Sequence, residues 1–338
     1  LDTSINMAMQ PFKMMVGDMV NEKQKGLAYS IQSFLCNAGS LVGFLFPFIF
    51  TWIGISNIAP QGVVPDSVIY SFYIGAAILI LCVIYTTVKV KEMPPAEYAE
   101  YHGITEEEEK EKINMVKLLI KAPKAFWTVG LVQFFCWFAF MFMWTYTNGS
   151  VAANVFDAPT VETAVNGVSK VMLDTKSIQY QDAADWVGVL FAVQAIGSVL
   201  WAVCIPLFKD RKLIYSLSLV LGGLGFISTY FVHNQYVLFI SFLLIGCAWA
   251  AMLALPFTIL TNALSGGHMG TYLGLFNGTI CIPQIVAASL GGSILALFTP
   301  KGMLPPEINM LVMAGIMLII GAVCVYLIKE TKGEQTKA

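Results

Sequence analysis

The residues of this chain that could do chemistry are few, and the most unusual sit together near its start. Asp2, Asn6, Gln10, Pro11, Lys13 and Asp18 interrupt the first apolar stretch. At 100° per residue, Asp2, Asn6 and Lys13 project to one side of a helix. Asp2 and Lys13 then stand about 16 Å apart along the axis, too far to touch. A carboxyl that alternates between water and a closed apolar site is driven towards its neutral form by desolvation and towards its charged form by a nearby cation. Such a group can take up and release a proton in step with a conformational change. Asp2 is the candidate for that role, and the competing reading is an aspartate at a helix end in the outer interface. Lys13 reads as a counter-charge to another helix, as a donor to a hydroxyl-rich substrate, or as a side chain snorkelling to the inner interface. Asp18, beside Asn21, Glu22, Lys23 and Lys25, reads as a cap or gate at a loop end.

The remaining candidates are amides and aromatics inside apolar runs. Gln32, Ser33 and Asn37 fall in one segment. Gln133 and Trp137 are four apart in the run Gln133-Phe134-Phe135-Cys136-Trp137-Phe138. Gln194 lies in another segment, Trp249 and Thr258 in the next but one, and Asn277 and Gln284, seven apart on one helical face, in the one after. Aromatic faces stack on the C–H face of a pyranose, and amides satisfy its hydroxyls. Together with Asn6 and Lys13, these residues suit an uncharged polyol better than an ionic or greasy substrate. Any one of these amides is more often a hydrogen bond between helices.

No HExxH, GxSxG or P-loop pattern occurs, so an enzyme is not expected. The seven cysteines fall singly in apolar segments, with no CxxC pair, and read as packed thiols. No metal, cofactor or nucleic-acid partner is expected. The partners expected are a sugar, a coupling cation and the bilayer, with the protein a monomer.

What must position these side chains is a set of membrane-crossing helices. Of the 338 residues, 57% are hydrophobic and 12% charged, far from the composition of a soluble domain. Nine segments of spanning length are predicted, at 1–20, 26–53, 68–90, 124–147, 185–207, 213–232, 236–262, 268–298 and 307–329. If the C-terminal tail is cytoplasmic, 15 of the 19 basic residues fall in cytoplasmic segments. Only Lys170, Lys176 and Lys301 lie opposite, with Lys13 inside a segment. An odd number of crossings puts Leu1 outside. Both ends in the cytoplasm would require three more helices before it, so the chain reads as a fragment of a twelve-helix protein.

The boundaries that follow are 1–90 for the rest of a first half, 91–123 for a cytoplasmic linker carrying Glu106 to Glu109, 124–330 for a second half, and 331–338 for a tail. The outer stretch 148–184 reads as a long polar loop, a lid or decoration. Gly266, Gly270, Gly274 and Gly278, and the pair Gly39 and Gly43, have the four-residue spacing of close helix contacts. Pro11, Pro256 and Pro283 can kink their helices.

Asp2, Asn6, Pro11-Phe12-Lys13 and Asp18, then Gly26, Asn37, Gly39 and Gly43, resemble the fourth and fifth helices of plant-type sucrose–proton symporters. These belong to the glycoside–pentoside–hexuronide:cation symporter group of the major facilitator superfamily. Gln133 to Phe138 is similar to that family's seventh helix. Pro256 to Asn277, with Pro283-Gln284 and Gly291-Gly292, is similar to its tenth and eleventh. Lys209-Asp210-Arg211-Lys212 is similar to its short basic loop between helices eight and nine. The resemblance implies an all-α membrane protein of the major facilitator fold, with helices 4–12 of twelve present. It implies proton-coupled uptake of a sucrose- or maltose-type glucoside or short oligosaccharide by alternating access, across a bacterial inner membrane. Asp2 is then the proton-coupling residue. The basic residue two after Pro11 is lysine here where the plant proteins have arginine, a point charge in place of a bidentate fork. The alternatives are a sodium-coupled glycoside symporter, a non-transporting membrane sugar sensor and an export facilitator.

Overall fold

The structure, a computed structural model, describes residues 9, 11–12, 15–16, 19–55, 64, 66–91, 94, 97, 115–165, 168–264, 269–300 and 302–328. In chain order the elements are α1 (Glu22–Trp52), α2 (Asp66–Lys89), the short α3 (Met115–Ile120), α4 (Lys124–Asn154), β1 (Thr160–Val165), β2 (Val168–Leu173), α5 (Ile178–Cys204), α6 (Arg211–Ser228), α7 (Leu238–Ala263), α8 (Met269–Phe276), α9 (Gly278–Phe298) and α10 (Ile308–Cys324). Helix is the conformation that satisfies every backbone group within its own segment, which an apolar surround demands. Among the described residues, seven helices are long and apolar enough to cross a membrane. Polar caps mark where the chain leaves the apolar zone. The Asp210 carboxylate accepts from Lys212 N–H at 3.0 Å and Leu213 N–H at 3.1 Å to start α6, and Ser177 Oγ accepts from Tyr180 N–H to start α5.

The core is built around α7, which packs against α1, α4, α5 and α6, while α4 and α6 both pack against α10. α2 touches α1 and exposes almost its whole apolar surface, with 6% of its apolar window buried. At the end of the bundle carrying the hairpin, Trp186 stacks on Phe239 at 5.4 Å, meets Tyr236 edge-on and donates to Gln235 O. An aromatic girdle of this kind suits a membrane–water interface.

Three expectations need correction. The fourth segment does not stop at 147 but runs to Asn154, because Gly149 and Ser150 are buried packing residues and the Asn154 amide donates back to Ser150 O at 2.8 Å. The stretch 148–184 is therefore no long loop: after α4 comes an antiparallel hairpin with Thr160 opposite Leu173 and Val165 opposite Val168, and α5 begins at Ile178. Lys25, counted in a solvated segment, lies in the first turn of α1 and is only 3% exposed. The segment 268–298 corresponds to one apolar span, Gly270–Phe298, in which only Asn277, itself helical in backbone, separates α8 from α9.

The glycine spacing also misled. A Cβ on Gly39, Gly43 or Gly274 would meet nothing within 4 Å. The close crossings use other glycines. A Cβ on Gly197 of α5 would meet Leu243 O at 2.5 Å, and one on Gly246 of α7 would run into the α5 backbone at Gln194 and Ser198. Gly223 of α6 and Gly315 of α10 meet in the same way, each facing the other's carbonyl. Serines reinforce these seams: Ser216 Oγ donates to Ala322 O at 3.1 Å, and Ser228 and Ser241 hydroxyls lie 2.8 Å apart.

Candidate functional site

One backbone irregularity organises the polar centre of the molecule. Pro256 sits inside α7 and has no N–H, so the carbonyl four residues back, Met252 O, loses its helical partner. Gln133 of α4 fills the gap, its Nε2 donating to Met252 O at 3.1 Å. Half a turn away, Ser33 Oγ of α1 donates to Ala250 O at 3.3 Å. Asn37, one turn along α1, donates through Nδ2 to Ser33 O at 2.7 Å. The α7 stretch from Trp249 to Met252 thus receives α1 on one flank and α4 on the other.

The other ends of these groups have no partner among the described residues. Asn37 Oδ1, Gln133 Oε1 and Trp137 Nε1 are buried and make no hydrogen bond among the described residues. Orphaned buried polar atoms are uncommon in a packed interior. The three flank α7 and comprise two acceptors and one donor without a hydrogen bond among the described residues. Beside them lies an aromatic face. Trp249 is met edge-on by Trp137 and Trp144, each with ring centres 5.7 Å away, and by Phe140 at 4.9 Å. Gln133, Trp137, Phe140 and Trp144 are spaced 4, 3 and 4 residues apart, so they form one stripe of α4. Trp137 is buried, Trp249 half-buried and Trp144 43% exposed, so the cluster opens at the Trp144 end.

The predicted residues divide into three groups. Gln133, Trp137, Trp249 and Asn37 come together as described. Gln194 is buried at the α5–α7 crossing, where its own carbonyl faces Gly246. Asn277 lies between α8 and α9 with Oδ1 buried and without a partner among the described residues, and Gln284 is half-buried on α9. The backbone is helical through Asn277, so these two stay seven apart on one helical run, and no described contact ties them to Trp249. Asp2, Asn6, Lys13 and Asp18 lie outside the described residues. Phe140 and Trp144 escaped the sequence reading, although their spacing from Gln133 and Trp137 was the available signal. A separate cavity of about 430 Å³, walled mostly by apolar side chains such as Ile227, Phe231, Phe298 and Met313 together with Asn309 and Tyr230, holds none of these groups.

The family model for the Major Facilitator Superfamily matches residues 5–172 and again residues 151–338, so the two matches span nearly the whole chain. The chain belongs to the Major Facilitator Superfamily. It is therefore a multi-pass membrane transporter and not an enzyme. Fifteen chains of solved structures match its fold. Among them is the crystal structure of a variant of the Escherichia coli fucose:proton symporter FucP. It shares 13% identity at a TM-score of 0.59, over 92% of this chain and 71% of FucP, which supports the fold alone. No curated protein sequence matches the chain.

In this major facilitator transporter the Gln133–Pro256 pairing is open to a direct test. Gln133→Leu leaves Met252 O buried without a donor and should cost about 1–3 kcal/mol. Pro256→Ala restores the missing N–H, so the same substitution made in that background should cost about 1 kcal/mol less. Unfolding of all four variants in detergent measures the difference. Equal costs in both backgrounds would mean that Gln133 is not there for the carbonyl that proline frees.

Proposed function

We propose that this transporter takes up a neutral sugar by proton symport and alternating access, with the sugar held against the α4 stripe and α7. The observation that carries the reading is the combination of Trp137, Phe140, Trp144 and Trp249 with the unpaired oxygens of Gln133 and Asn37. A pyranose needs an apolar wall for its C–H face and acceptors for its hydroxyls, and these residues offer both without a buried charge. The shared fold with a protein named as a fucose:proton symporter supports a sugar as cargo and a proton as coupling ion. The resemblance to sucrose–proton symporters points to a sucrose- or maltose-type glucoside. In this reading residues 1–90 belong to one helical half and 124–330 to the other. Asp2 accepts the proton from outside, and neutralising it removes the cost of burying its charge during reorientation. Asn6 and Lys13 contact the sugar from the first half, while Gln194, Asn277 and Gln284 serve further along the path. The basic loop Lys209–Lys212 faces the cytoplasm and the hairpin faces outward, in a bacterial inner membrane.

Sugar binding and uptake in proteoliposomes of the complete protein test this directly. Trp144→Ala should raise the half-saturating sugar concentration about tenfold, the worth of one aromatic stacking contact of ~1.5 kcal/mol. Its melting temperature should hardly move, since Trp144 is substantially exposed. Unchanged affinity in that variant removes the aromatic face from the binding site. Uptake that follows sodium at fixed pH, and not the proton gradient, removes proton coupling.

A further inference from the structure

Glu307 is the carboxyl that the reading above leaves unused. It is the residue before α10, half-buried at the end of the bundle that carries the hairpin, and its side chain lies against Gly149 of α4. The fit depends on that glycine, because a Cβ at position 149 would collide with both carboxyl oxygens and the carboxyl carbon. Among the described residues, the side chains known to adjoin it are uncharged. Ser150 Oγ, on a residue 1% exposed, has no hydrogen-bond partner among the described residues, and neither does the buried Asn148 Oδ1. Ser150 also shares with Ile308 and Leu311 a cavity of about 10 Å³, close to the room one water needs. The Tyr146 phenol, one turn down α4, is within electrostatic range of Glu307, and its hydroxyl packs against Gly291 of α9.

We infer that Glu307 is a proton-binding site of this transporter, held neutral in the Gly149 notch, and that its ionisation releases the end of α10 from α4. A carboxylate in this seam would have no cation to pair with among the described residues. α4 presents Gly149, the Tyr146 phenol and, beside Ile308, the uncharged Ser150, and α10 carries no titratable group in its first turns. Burial alone pushes the carboxyl up, from an ordinary value of 4.5 to about 7. Proton uptake forms one O–H bond and neutralises one charge, and the proton comes from the bathing solution. The site lies at the opposite end of α4 from Lys124, which begins the helix, so it answers to the compartment the hairpin faces. It owes nothing to Asp2 or to the identity of the sugar.

The linkage sign is definite. A folded-state value above the unfolded one makes the protonated form the stabilising one. That contribution is complete below about 4.5 and is lost as pH rises to about 7. Infrared titration of the reconstituted chain reads the proton itself, with no sugar and no gradient. The wild type should show a protonated-carboxyl band that disappears with a midpoint near 7, and Glu307→Gln should abolish it. Gly149→Ala, which evicts the side chain into water, should bring the midpoint down towards 4.5. Spin labels at Thr145 and Met303 should move apart across the same pH window in the wild type and stay fixed in Glu307→Gln. A band insensitive to Glu307→Gln, or one titrating in the ordinary carboxylate range, overturns the site. A label distance that ignores pH overturns the release. Glu307→Gln preserves shape, so it decides the matter even if Gly149→Ala fails to fold. Loss of sugar transport with an intact band would count against the sugar reading and leave this site standing.

Discussion

One methyl group at Gly246 should lower the stability of this transporter by about 3 kcal/mol, at the top of the usual range for overpacking. The size of the effect follows from what the methyl meets. Its neighbours are backbone atoms of α5, among them Ser198 N at 2.7 Å and Gly197 C at 3.0 Å. A flexible side chain could swing aside, but a helix backbone cannot, so α5 and α7 must separate along their length. Gly197 mirrors the arrangement, with Leu243 Cα at 2.9 Å. In a bilayer, helix association rests on such close van der Waals approach, because lipid supplies no hydrophobic drive between apolar surfaces. Gly246→Ala should therefore unfold at markedly lower temperature or denaturant than the wild type. Gly274→Ala, where nothing lies within 4 Å, should stay within ~0.5 kcal/mol of it. If the two substitutions behave alike, the α5–α7 crossing is not as close as described.

That contrast shows where the sequence was legible. Apolar runs and basic loops identify spanning helices because length and charge are properties of single segments, and eight of the nine predicted segments correspond to described helices, one of them in two pieces. Of the first, only residues 9, 11–12, 15–16 and 19–20 are described, and Asp2 is not among them. Which glycines matter is a property of pairs of segments. Gly197 and Gly246 are isolated along the chain and become a motif only when α5 crosses α7. The GxxxG spacing at Gly39 and Gly43 is a true pattern on one helix, but no described residue lies within 4 Å of where either Cβ would be. The end of α4 was misplaced for a related reason. Asn148, Gly149 and Ser150 read as loop residues by composition, yet their small or polar character is what lets Glu307 approach. The hairpin was signalled by Asn166-Gly167 between two Val-bearing runs, the usual dipeptide of a two-residue turn. At the candidate site, the pair Gln133 and Trp137 was readable from spacing, but the reason Gln133 turns towards α7 is the carbonyl freed by Pro256, 123 residues later.

The aromatic cluster carries the second large effect. Trp249→Ala removes the ring that Trp137, Phe140 and Trp144 all touch. In water, losing a buried tryptophan costs about 3–5 kcal/mol, part of it lost transfer energy and part the cavity left behind. In a bilayer the unfolded reference keeps its helices in lipid, so much of the transfer part drops out while lost contacts and cavity remain. A cost of ~2–3 kcal/mol is expected on that basis, with Trp249→Phe near ~1 kcal/mol. Stability alone cannot distinguish a packing cluster from a sugar wall, because both predict a less stable variant. Affinity can. If the rings line the sugar site, Trp249→Ala should weaken sugar binding at least as much as Trp144→Ala, about tenfold or more, when measured below the temperature at which either variant unfolds. If it unfolds earlier yet binds sugar as tightly as the wild type, then Trp249 only buttresses its neighbours. The sugar would then have to be held by the amides of α1, α4 and α9, against a wall that these rings do not form.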